Sequence, residues 1–408
     1  MRTELLAPAG DLEKLKAAVL YGADAVYLGG RHFGLRAGAG NFDDAELAEG
    51  VRFAHAHSAR VYVTVNIFAH NRDLALLPAY LESICEAGAD AVIVSDPGVV
   101  SLVRRLHPDL PIHLSTQANT TNWAAARFWE ELGVTRIVLA RELTLEEIRE
   151  IRKKAALELE IFVHGAMCIS YSGRCLLSSY MTGRDANRGD CAQSCRWKYA
   201  LAEEKRPGEY FPIEEDSRGS YILGSRDLCL IEHIPALVGA GVSSFKIEGR
   251  MKSVNYVAGV VKAYREALDA YHRDPENYRF NPSWLAEIEK VSHRDYSTGF
   301  LFGKPGPSGQ HYEGEIYRRS HVFAGLVRGY DQVTGLAVIE QRNHFAVGDE
   351  VDFMLPRGKN IRQKVTRIID EEGQSVAAAP HPQQVVQIPV DGPVPEFTIM
   401  RRLIKDVV

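Results

Sequence analysis

The chain has 408 residues, of which 46% are hydrophobic and 25% are charged, and its formal net charge is -5. This length suits one large domain and a smaller one, and the composition excludes a strongly basic protein while leaving room for a local basic patch. The sequence contains neither an apolar signal segment nor a run of about 18 apolar residues, so we expect a cytoplasmic protein with no membrane partner.

Short apolar runs alternate with amphipathic helical segments through the first part of the chain. The phrases "YGADAVYLGG", "AGADAVIVSD" and "AGVSSFKIEGR" repeat one pattern, in which a small turn precedes an apolar strand with a polar end. The predicted strands are 5–8, 25–28, 61–66, 91–95, 112–115, 136–140, 159–164 and 244–248. Eight such units predict an α/β fold, a TIM-like (β/α)8 barrel. An open doubly wound sheet is the alternative, although no GxGxxG motif follows the first strand.

The seventh predicted strand is followed by a long cysteine-rich insertion, 165–243, where a barrel needs only a helix and two loops. Active sites of such barrels form from the loops that follow the strands, so we expect the insertion on the functional face. We divide the chain into the barrel with its insertion (1–275), a linker that packs on the barrel (276–319) and a small β-barrel domain (320–408). Period-two alternation predicts strands in that last domain at "HVFAGLVRGY", "GLAVIEQR", "GDEVDFML", "KVTRIIDE" and "EFTIMRRL".

Five of the six cysteines lie within 62 residues, whereas Cys85 stands apart in a predicted helix. The group is Cys168, Cys175, Cys191, Cys195 and Cys229. Buried small hydrophobes are one interpretation, but the glycine-rich and cationic surroundings favour thiolates. The spacing differs from the paired CxxC pattern of common zinc ribbons, and an iron-sulfur cluster also takes four thiolates. Spacing alone leaves the two metals nearly equal.

Polar residues occur at the ends of the predicted strands and form a ring at the mouth of the expected barrel. They are Tyr27, Asn66, Asp96, Gln117, Arg141, His164, Lys246, Glu248 and Arg250. Capping of the following helices is the structural alternative for each of them. His164 is the strongest candidate because its imidazole could accept a proton, although a buried core histidine is the competing interpretation.

The stretch "KIEGR" places Lys246, Glu248 and Arg250 on one side of an extended strand. Pointing inward, these cations could bind a dicarboxylate. An ion-pair network that fills the end of the barrel is an equally good interpretation.

Cations and aromatic residues surround the cysteines, and this combination suits RNA phosphates and unpaired bases. The residues are Arg174, Arg184, Arg188, Arg196, Lys198, Tyr171, Tyr180, Trp197 and Tyr199. A solvated loop surface would look similar. The last domain adds Arg328, Arg342, Arg357, Lys359, Arg362 and Lys364 as a second candidate surface for RNA backbone. Alternatively, that domain only covers an apolar side of the barrel.

The residues "FVHGAMCISYSGRCLLS" resemble the signature of the peptidase U32 family, first described as collagenase-like proteases. The stretches "LLAPAG", "GADAVYLGG", "NRGDCAQSCRW", "KIEGRMK" and "SHRDYSTGF" match the same family. Within it, the chain is most similar to the prephenate-dependent tRNA uridine hydroxylases.

This resemblance implies that the protein hydroxylates the wobble uridine of tRNA to 5-hydroxyuridine, with prephenate as cosubstrate and a second family subunit as a possible partner. It also implies a four-iron cluster on Cys168, Cys175, Cys191 and Cys229, with Cys195 as a neighbouring or spare thiol. Combining both lines of argument, we assign catalytic roles to His164, Asn66, Gln117 and Glu248. Substrate-binding roles go to Tyr27, Arg141, Lys246, Arg250, Arg174, Arg196 and Trp197.

Two other functions compete with this hypothesis. One is the peptidase activity that the family's older name suggests, although the sequence contains neither HExxH nor GxSxG. The other is a non-catalytic RNA-binding subunit with a structural zinc site.

Overall fold

The first part of the chain forms a closed parallel barrel. The structure is a computed structural model that describes residues 2–35, 40–168, 170–197, 200–202, 210–212, 224–305, 310–311 and 318–404. Its first strands are β1 (Glu4–Pro8), β2 (Ala25–Gly29), β3 (Arg60–Val65), β4 (Ala91–Val94), β5 (Ile112–Leu114), β6 (Arg136–Val138), β7 (Glu158–Ala166), β8 (Ala200–Ala202), β9 (Tyr210–Pro212), β10 (Gly224–Ser225), β11 (Asp227–Cys229), β12 (Ser244–Ile247), β13 (Tyr296–Ser297) and β14 (Gln310–His311). Strands β1 to β7 pair in chain order, and β12 closes the barrel between β7 and β1. The predicted (β/α)8 barrel is therefore confirmed.

Most of the helices cover the outside of the barrel, and a short helix, Leu177–Thr182, lies in the insertion. They are α1 (Leu12–Leu20), α2 (Asp44–Ala56), α3 (Asn71–Leu74), α4 (Leu77–Glu86), α5 (Pro97–Leu106), α6 (Trp123–Glu131), α7 (Leu145–Lys154), α8 (Leu177–Thr182), α9 (Ile234–Gly239), α10 (Val254–Arg273) and α11 (Pro282–Ile288). Polar caps start several of them directly after a strand: Asp96 accepts the Val99 amide, and Thr144 forms a capping box with Glu147. Asp96 therefore caps a helix, which was the structural alternative to a role in the functional site. Among the described residues, no helix is both long and apolar enough to span a bilayer.

The barrel interior is partly apolar and partly charged. Leu6, Ala25, Tyr27, Tyr62, Ala91 and Ile93 form a small buried cluster inside it. Beside them, Arg136 contacts Glu4 and Glu160, and Lys246 donates to Glu160 at 2.8 Å. All four ionic side chains are almost fully buried. Although burial acts to raise the pKa of Glu4, Arg136 lowers it below its usual value, so the carboxylate stays charged.

Near its C-terminal end, the insertion pairs with a strand of the barrel. Strand β11 runs antiparallel to the end of β7, which places Cys229 opposite His164, and β13 pairs with β11. The guanidinium of Arg294 donates two hydrogen bonds to the Asp227 carboxylate, at 3.0 and 2.6 Å, and both side chains are buried. The segment after the barrel is thereby attached to the insertion.

The C-terminal domain is an antiparallel half-barrel. Its strands are β15 (His321–Asp331), β16 (Leu336–Gln341), β17 (Phe345–Ala346), β18 (Glu350–Met354), β19 (Ile361–Lys364), β20 (Ile368–Ile369), β21 (Ser375–Val376), β22 (Ala378–Ala379), β23 (Val385–Pro389) and β24 (Ile399–Leu403). The main sheet has the order β19-β18-β24-β15-β16-β23-β20-β21. The single strand predicted at "KVTRIIDE" is wrong, because β19 ends at Lys364 and β20 starts at Ile368. Sequence reasoning also missed β23.

Buried polar contacts join the half-barrel to the helices of the barrel. Arg401 is completely buried and contacts Glu287, the Asn255 amide oxygen and the sulfur of Met354. The Tyr21 hydroxyl donates to the carbonyl oxygen of Met354 at 2.6 Å. Burial acts to raise the pKa of Glu287, but Arg401 and Lys290 lower it to about 2, so the ion pair persists at neutral pH. The two domains thus share one interface with polar anchors.

We expect Arg401→Ala to destabilise the protein by about 2–4 kcal/mol, because it empties a completely buried position and removes the hydrogen bonds to Asn255 and the part-buried Glu287. Arg402→Ala is the matched control, since this neighbouring arginine is partly exposed and lies 3.8 Å from Asp349; its cost should be about 0–1 kcal/mol. Chemical unfolding followed by circular dichroism measures both. Equal losses for the two variants would contradict the role of Arg401.

Candidate functional site

A cavity of about 450 Å³ opens at the carboxyl ends of the barrel strands, where (β/α)8 enzymes place their active sites. Seven of the nine polar residues predicted at strand ends line it, and they are Tyr27, Asn66, Gln117, Arg141, Lys246, Glu248 and Arg250. Asp96 and His164 do not. The insertion forms the opposite wall with residues between Met167 and Cys195. Strand ends and insertion therefore enclose one site.

Two contacts attach the insertion to strand ends of the barrel. The Asn119 amide, after β5, donates to the carbonyl oxygen of Ser172 at 2.8 Å. Arg188 donates to the carbonyl oxygen of Phe68, after β3, and pairs with Asp73 at 2.9 Å. The hydrogen bond from Arg188 lowers the pKa of Asp73 to about 2. The wall of the cavity is thus held above the strand ends by defined polar contacts.

Two uncharged amides lie on the barrel side of the cavity. Asn66 accepts a hydrogen bond from the Leu35 amide at 3.2 Å and donates to the Ser115 hydroxyl at 3.3 Å. The side chain of Gln117 is half-buried, and the Gly173 backbone of the insertion lies close against its amide oxygen. Amides both donate and accept hydrogen bonds, so this pair can recognise a heterocycle with mixed polarity.

A cation and a carboxylate lie side by side in the same wall. The guanidinium of Arg141 stacks on the Phe162 ring, 3.9 Å from its centroid, and lies 3.7 Å from the Glu248 carboxylate. The Tyr27 hydroxyl lies 3.5 Å from that carboxylate and donates to the carbonyl oxygen of Ile247. Phe162 was missed from the sequence because it lies inside an unbroken apolar run. Its ring orients the arginine toward the cavity.

The two cations of "KIEGR" are used by the protein itself. Lys246 reaches the edge of the cavity, but its ammonium group pairs with the buried Glu160 carboxylate at 2.8 Å. Arg250 is buried and donates to the carbonyl oxygen of Leu35 at 2.7 Å and to the side chain of Asn41. These contacts match the ion-pair and packing interpretation. Substrate binding by Lys246 and Arg250 stays a prediction.

His164 lies behind the cavity, among aromatic rings. It is 1% exposed, and its ring centroid is 5.4 Å from that of Tyr296 and 5.6 Å from that of Tyr264. Neither ring nitrogen has a hydrogen-bond partner in the described part of the chain. Burial lowers the pKa of His164 to about 3, so its imidazole is uncharged at neutral pH. Its catalytic role stays a prediction, and the surroundings resemble those of a core histidine.

Four cysteine thiols line the cavity: Cys168, Cys175, Cys191 and Cys195. Cys168 is exposed and the other three are half-buried. The backbone amide of Gln193 lies 3.4 Å from the sulfur of Cys191, and amide donors of this kind stabilise thiolates in metal and cluster sites. The donor chemistry of this wall therefore suits an iron-sulfur cluster.

Cys229 occupies a different environment. It does not line the cavity, and its sulfur lies 3.9 Å from the Tyr264 hydroxyl. Burial raises the pKa of its thiol to about 11. Among the described residues, no three His, Cys, Asp or Glu side chains already stand as a metal site. Three of the four cysteines assigned from the sequence thus share a cavity with Cys195, and the place of Cys229 in the ligand set stays a prediction.

The residues predicted to contact RNA near the cysteines belong to the insertion, and Tyr171 and Arg184 among them line the cavity. Arg174 is exposed, and Trp197 is 45% exposed. Tyr171 and Tyr180 are also exposed, whereas Arg184 pairs with Asp190 at 2.7 Å. The side chain of Arg196 and residues 198–199 lie outside the described part of the chain. Tyr171 is therefore the aromatic residue of this group that is both exposed and part of the cavity lining, as stacking on an unpaired base requires.

Sequence profiles identify the family of this chain. The profile of Peptidase family U32 matches residues 10–311, and that of the Peptidase family U32 C-terminal domain matches residues 319–401. The chain belongs to peptidase family U32. The tRNA hydroxylation protein P1 of Bacillus subtilis is 46% identical over 401 residues, which cover 98% of this chain and 95% of that protein.

Two further U32 relatives come from Escherichia coli. Its tRNA hydroxylation protein P is 40% identical over 431 residues, covering 95% of this chain and 94% of that protein. Its 23S rRNA 5-hydroxycytidine synthase is 38% identical over 314 residues, covering 76% of this chain and 46% of that protein. The resemblance to the U32 family that the motifs indicated is therefore confirmed over nearly the whole chain.

We expect Gly173→Ala to loosen the insertion of this U32 protein. The residue has φ +72°, and an added methyl group would lie 2.4 Å from the Gln117 amide oxygen. Gly183→Ala is the matched control, because Gly183 has φ +71° and no described atom within 4 Å of such a methyl group. Both variants should lose about 1 kcal/mol of stability through the left-handed backbone, but only Gly173→Ala should speed tryptic cleavage in the insertion. Equal cleavage rates would contradict the contact.

Proposed function

We propose that this protein hydroxylates carbon five of the wobble uridine in tRNA, with prephenate as cosubstrate and an iron-sulfur cluster as cofactor. The observation that carries the proposal is the cavity at the catalytic end of the barrel, which combines amides, an Arg141–Glu248 pair and cysteine thiols. The names of the relatives support RNA hydroxylation in general, because two of them are tRNA hydroxylation proteins and one is a 5-hydroxycytidine synthase.

The size and polarity of the cavity favour a single nucleobase as the bound group. A volume of about 450 Å³ lies within the range of small-molecule sites and is too small for a helical stem. The base must therefore leave its stack, as in other enzymes that modify bases. The amides of Asn66 and Gln117 can hydrogen bond with the donor and acceptor groups on the uracil edge.

The charged wall supports binding of a carboxylate cosubstrate. Arg141 is held by the Phe162 ring and lies 3.7 Å from Glu248, longer than a hydrogen bond, so its donors are not saturated by that carboxylate. A ligand carboxylate could accept from the planar guanidinium with favourable geometry. The identity of this cosubstrate as prephenate and the participation of a second subunit of the same family are proposed from the sequence resemblance.

The cluster would be held by Cys168, Cys175, Cys191 and Cys229, the cysteines assigned from the sequence. When bound, such a group supplies electron transfer or Lewis acidity near the substrate. The residues of the chain itself would bind the base, orient the cosubstrate and exclude water beneath the insertion. No observation on the described residues favours the peptidase hypothesis, because no histidine lines the cavity that contains the thiols.

We expect tRNA from cells that lack the gene, and any redundant enzyme, to lose 5-hydroxyuridine and its derivatives. Mass spectrometry of tRNA nucleosides measures this loss, and re-expression of the wild-type gene should restore the modified nucleosides. Re-expression of Gln117→Ala should restore them only in part, because the base loses one hydrogen-bonding amide. Unchanged 5-hydroxyuridine derivatives in the deleted strain would contradict the proposed function.

We expect single Cys→Ser changes at Cys168, Cys175, Cys191 or Cys229 to abolish retention of iron after anaerobic purification, because a four-thiolate cluster needs every ligand. Cys85→Ser is the control, since Cys85 is partly buried against the apolar core. Iron and sulfide analysis and visible absorption give the readout without an activity assay. Iron that survives in Cys229→Ser but is lost in Cys195→Ser would assign Cys195 as the fourth ligand. A colourless wild-type protein with bound zinc would favour the structural-zinc hypothesis.

A further inference from the structure

The edge of the C-terminal half-barrel carries four exposed cations. Strands β18 and β19 form a hairpin, here called the basic hairpin (residues 350–364), at one edge of the main sheet. Its exposed cations are Arg357, Lys359, Arg362 and Lys364. Arg362 and Lys364 are two positions apart on β19, so their side chains leave the same face at a spacing of about 6.8 Å. That spacing is close to the separation of successive phosphates along a nucleic-acid strand.

These four cations differ from the other cations of the domain in having no partner within the described chain. Arg328 and Arg342 both contact Glu13 of α1 and Glu340, at 2.6 to 2.7 Å. They therefore hold the domain on the barrel, and the sequence-based assignment of these two arginines to an RNA surface does not fit. The cations of the basic hairpin have neither an ion pair nor a side-chain hydrogen bond in the described part of the protein.

A concave surface lies beside the hairpin. A second cavity, of about 270 Å³, is lined by Arg362, Lys364, His321, Glu350 and Asp352 among others. Asp352 is buried and pairs with Lys290 at 2.9 Å, which leaves Glu350 as the exposed acid of the lining. Burial, together with the nearby Lys290 and Arg401 cations, lowers the pKa of His321 to about 4. His321 is therefore uncharged at neutral pH, and the cations of this lining are Arg362 and Lys364.

The basic hairpin is also close to the side of the barrel that holds the insertion. Lys290 contacts Asp352 in the second cavity, and Arg294 contacts Asp227, two positions before Cys229. Four residues of chain span at most about 14 Å. The short segment from Lys290 to Arg294 therefore connects the hairpin to β11, the strand that pairs with the end of β7.

We propose that the basic hairpin binds the sugar-phosphate backbone of the tRNA substrate, outside the nucleotide that enters the cavity. This inference rests on the proposed function and adds the surface that holds the rest of the substrate. Four exposed cations without a partner in the described chain are concentrated on this strand edge and its turn, beside a concave surface. An extended polyanion fits this edge better than a single small anion, because the cations are spread along a strand and a turn.

The test compares two quadruple variants of the full chain for binding to an unmodified tRNA transcript with uridine at the wobble position. The first variant is Arg357→Ala, Lys359→Ala, Arg362→Ala and Lys364→Ala. The control removes the same charge from the outer helices α5 to α7, as Arg105→Ala, Arg127→Ala, Arg149→Ala and Lys153→Ala, all at exposed positions. Because each phosphate contact releases counterions, the hairpin variant should bind at least about tenfold more weakly at low salt. The slope of log affinity against log salt should fall in magnitude by about 3, whereas the control should keep both values.

A charge-retaining variant, Arg357→Lys with Arg362→Lys, should bind tRNA like the wild type, since phosphate contacts need the charge more than the guanidinium. Equal behaviour of the hairpin variant and the control would overturn the inference while leaving the proposed function intact, provided that the wild type hydroxylates the transcript. A wild type that neither binds nor hydroxylates the transcript would overturn both. Competition by polyglutamate as strong as that by unlabelled tRNA would overturn the assignment to RNA and indicate an acidic protein partner.

Discussion

A buried set of alternating charges joins four strands across the inside of the barrel. Glu4 on β1, Arg136 on β6, Glu160 on β7 and Lys246 on β12 contact one another without access to water. Such a network stabilises the fold only when complete, because removal of one member leaves an uncompensated buried charge. The floor of the cavity depends on it, since Lys246 and its neighbours on β12 are fixed from below. This explains why part of "KIEGR" supports the fold rather than the ligand.

The barrel and the outline of its site could be predicted because their signals are local. Each apolar run ends in a turn or a polar residue, and parallel strands bring all those ends to one rim. Seven of the nine predicted polar residues therefore line one cavity. Asp96 could not be separated from them by sequence, because an N-cap aspartate and a site aspartate occupy the same position after a strand.

The remaining features depend on pairings between distant segments, which leave no periodic signal. His164 ends the predicted strand like the others, but β7 continues to Ala166 and pairs there with the antiparallel β11, which places Cys229 directly opposite His164. The same pairing separates Cys229 from the thiols that line the cavity. Arg250 likewise points to the loop after β2, where Leu35 and Asn41 accept its hydrogen bonds. The surroundings of these residues depend on strand register and on long loops, and composition does not reveal either of them.

The contact between Tyr21 and the C-terminal half-barrel has a consequence for synthesis of the chain on the ribosome. The Tyr21 hydroxyl also accepts a hydrogen bond from the backbone amide of Ile399, 378 positions later. Because translation releases the N-terminal helices first, the outer surface of α1 has no polar partner from the half-barrel until β24, which contains Ile399, has been made. During that interval the nascent barrel exposes a surface that the finished protein buries. The native interface therefore cannot form before β24 has been made, and slow elongation between the barrel and β24 would prolong the exposed state.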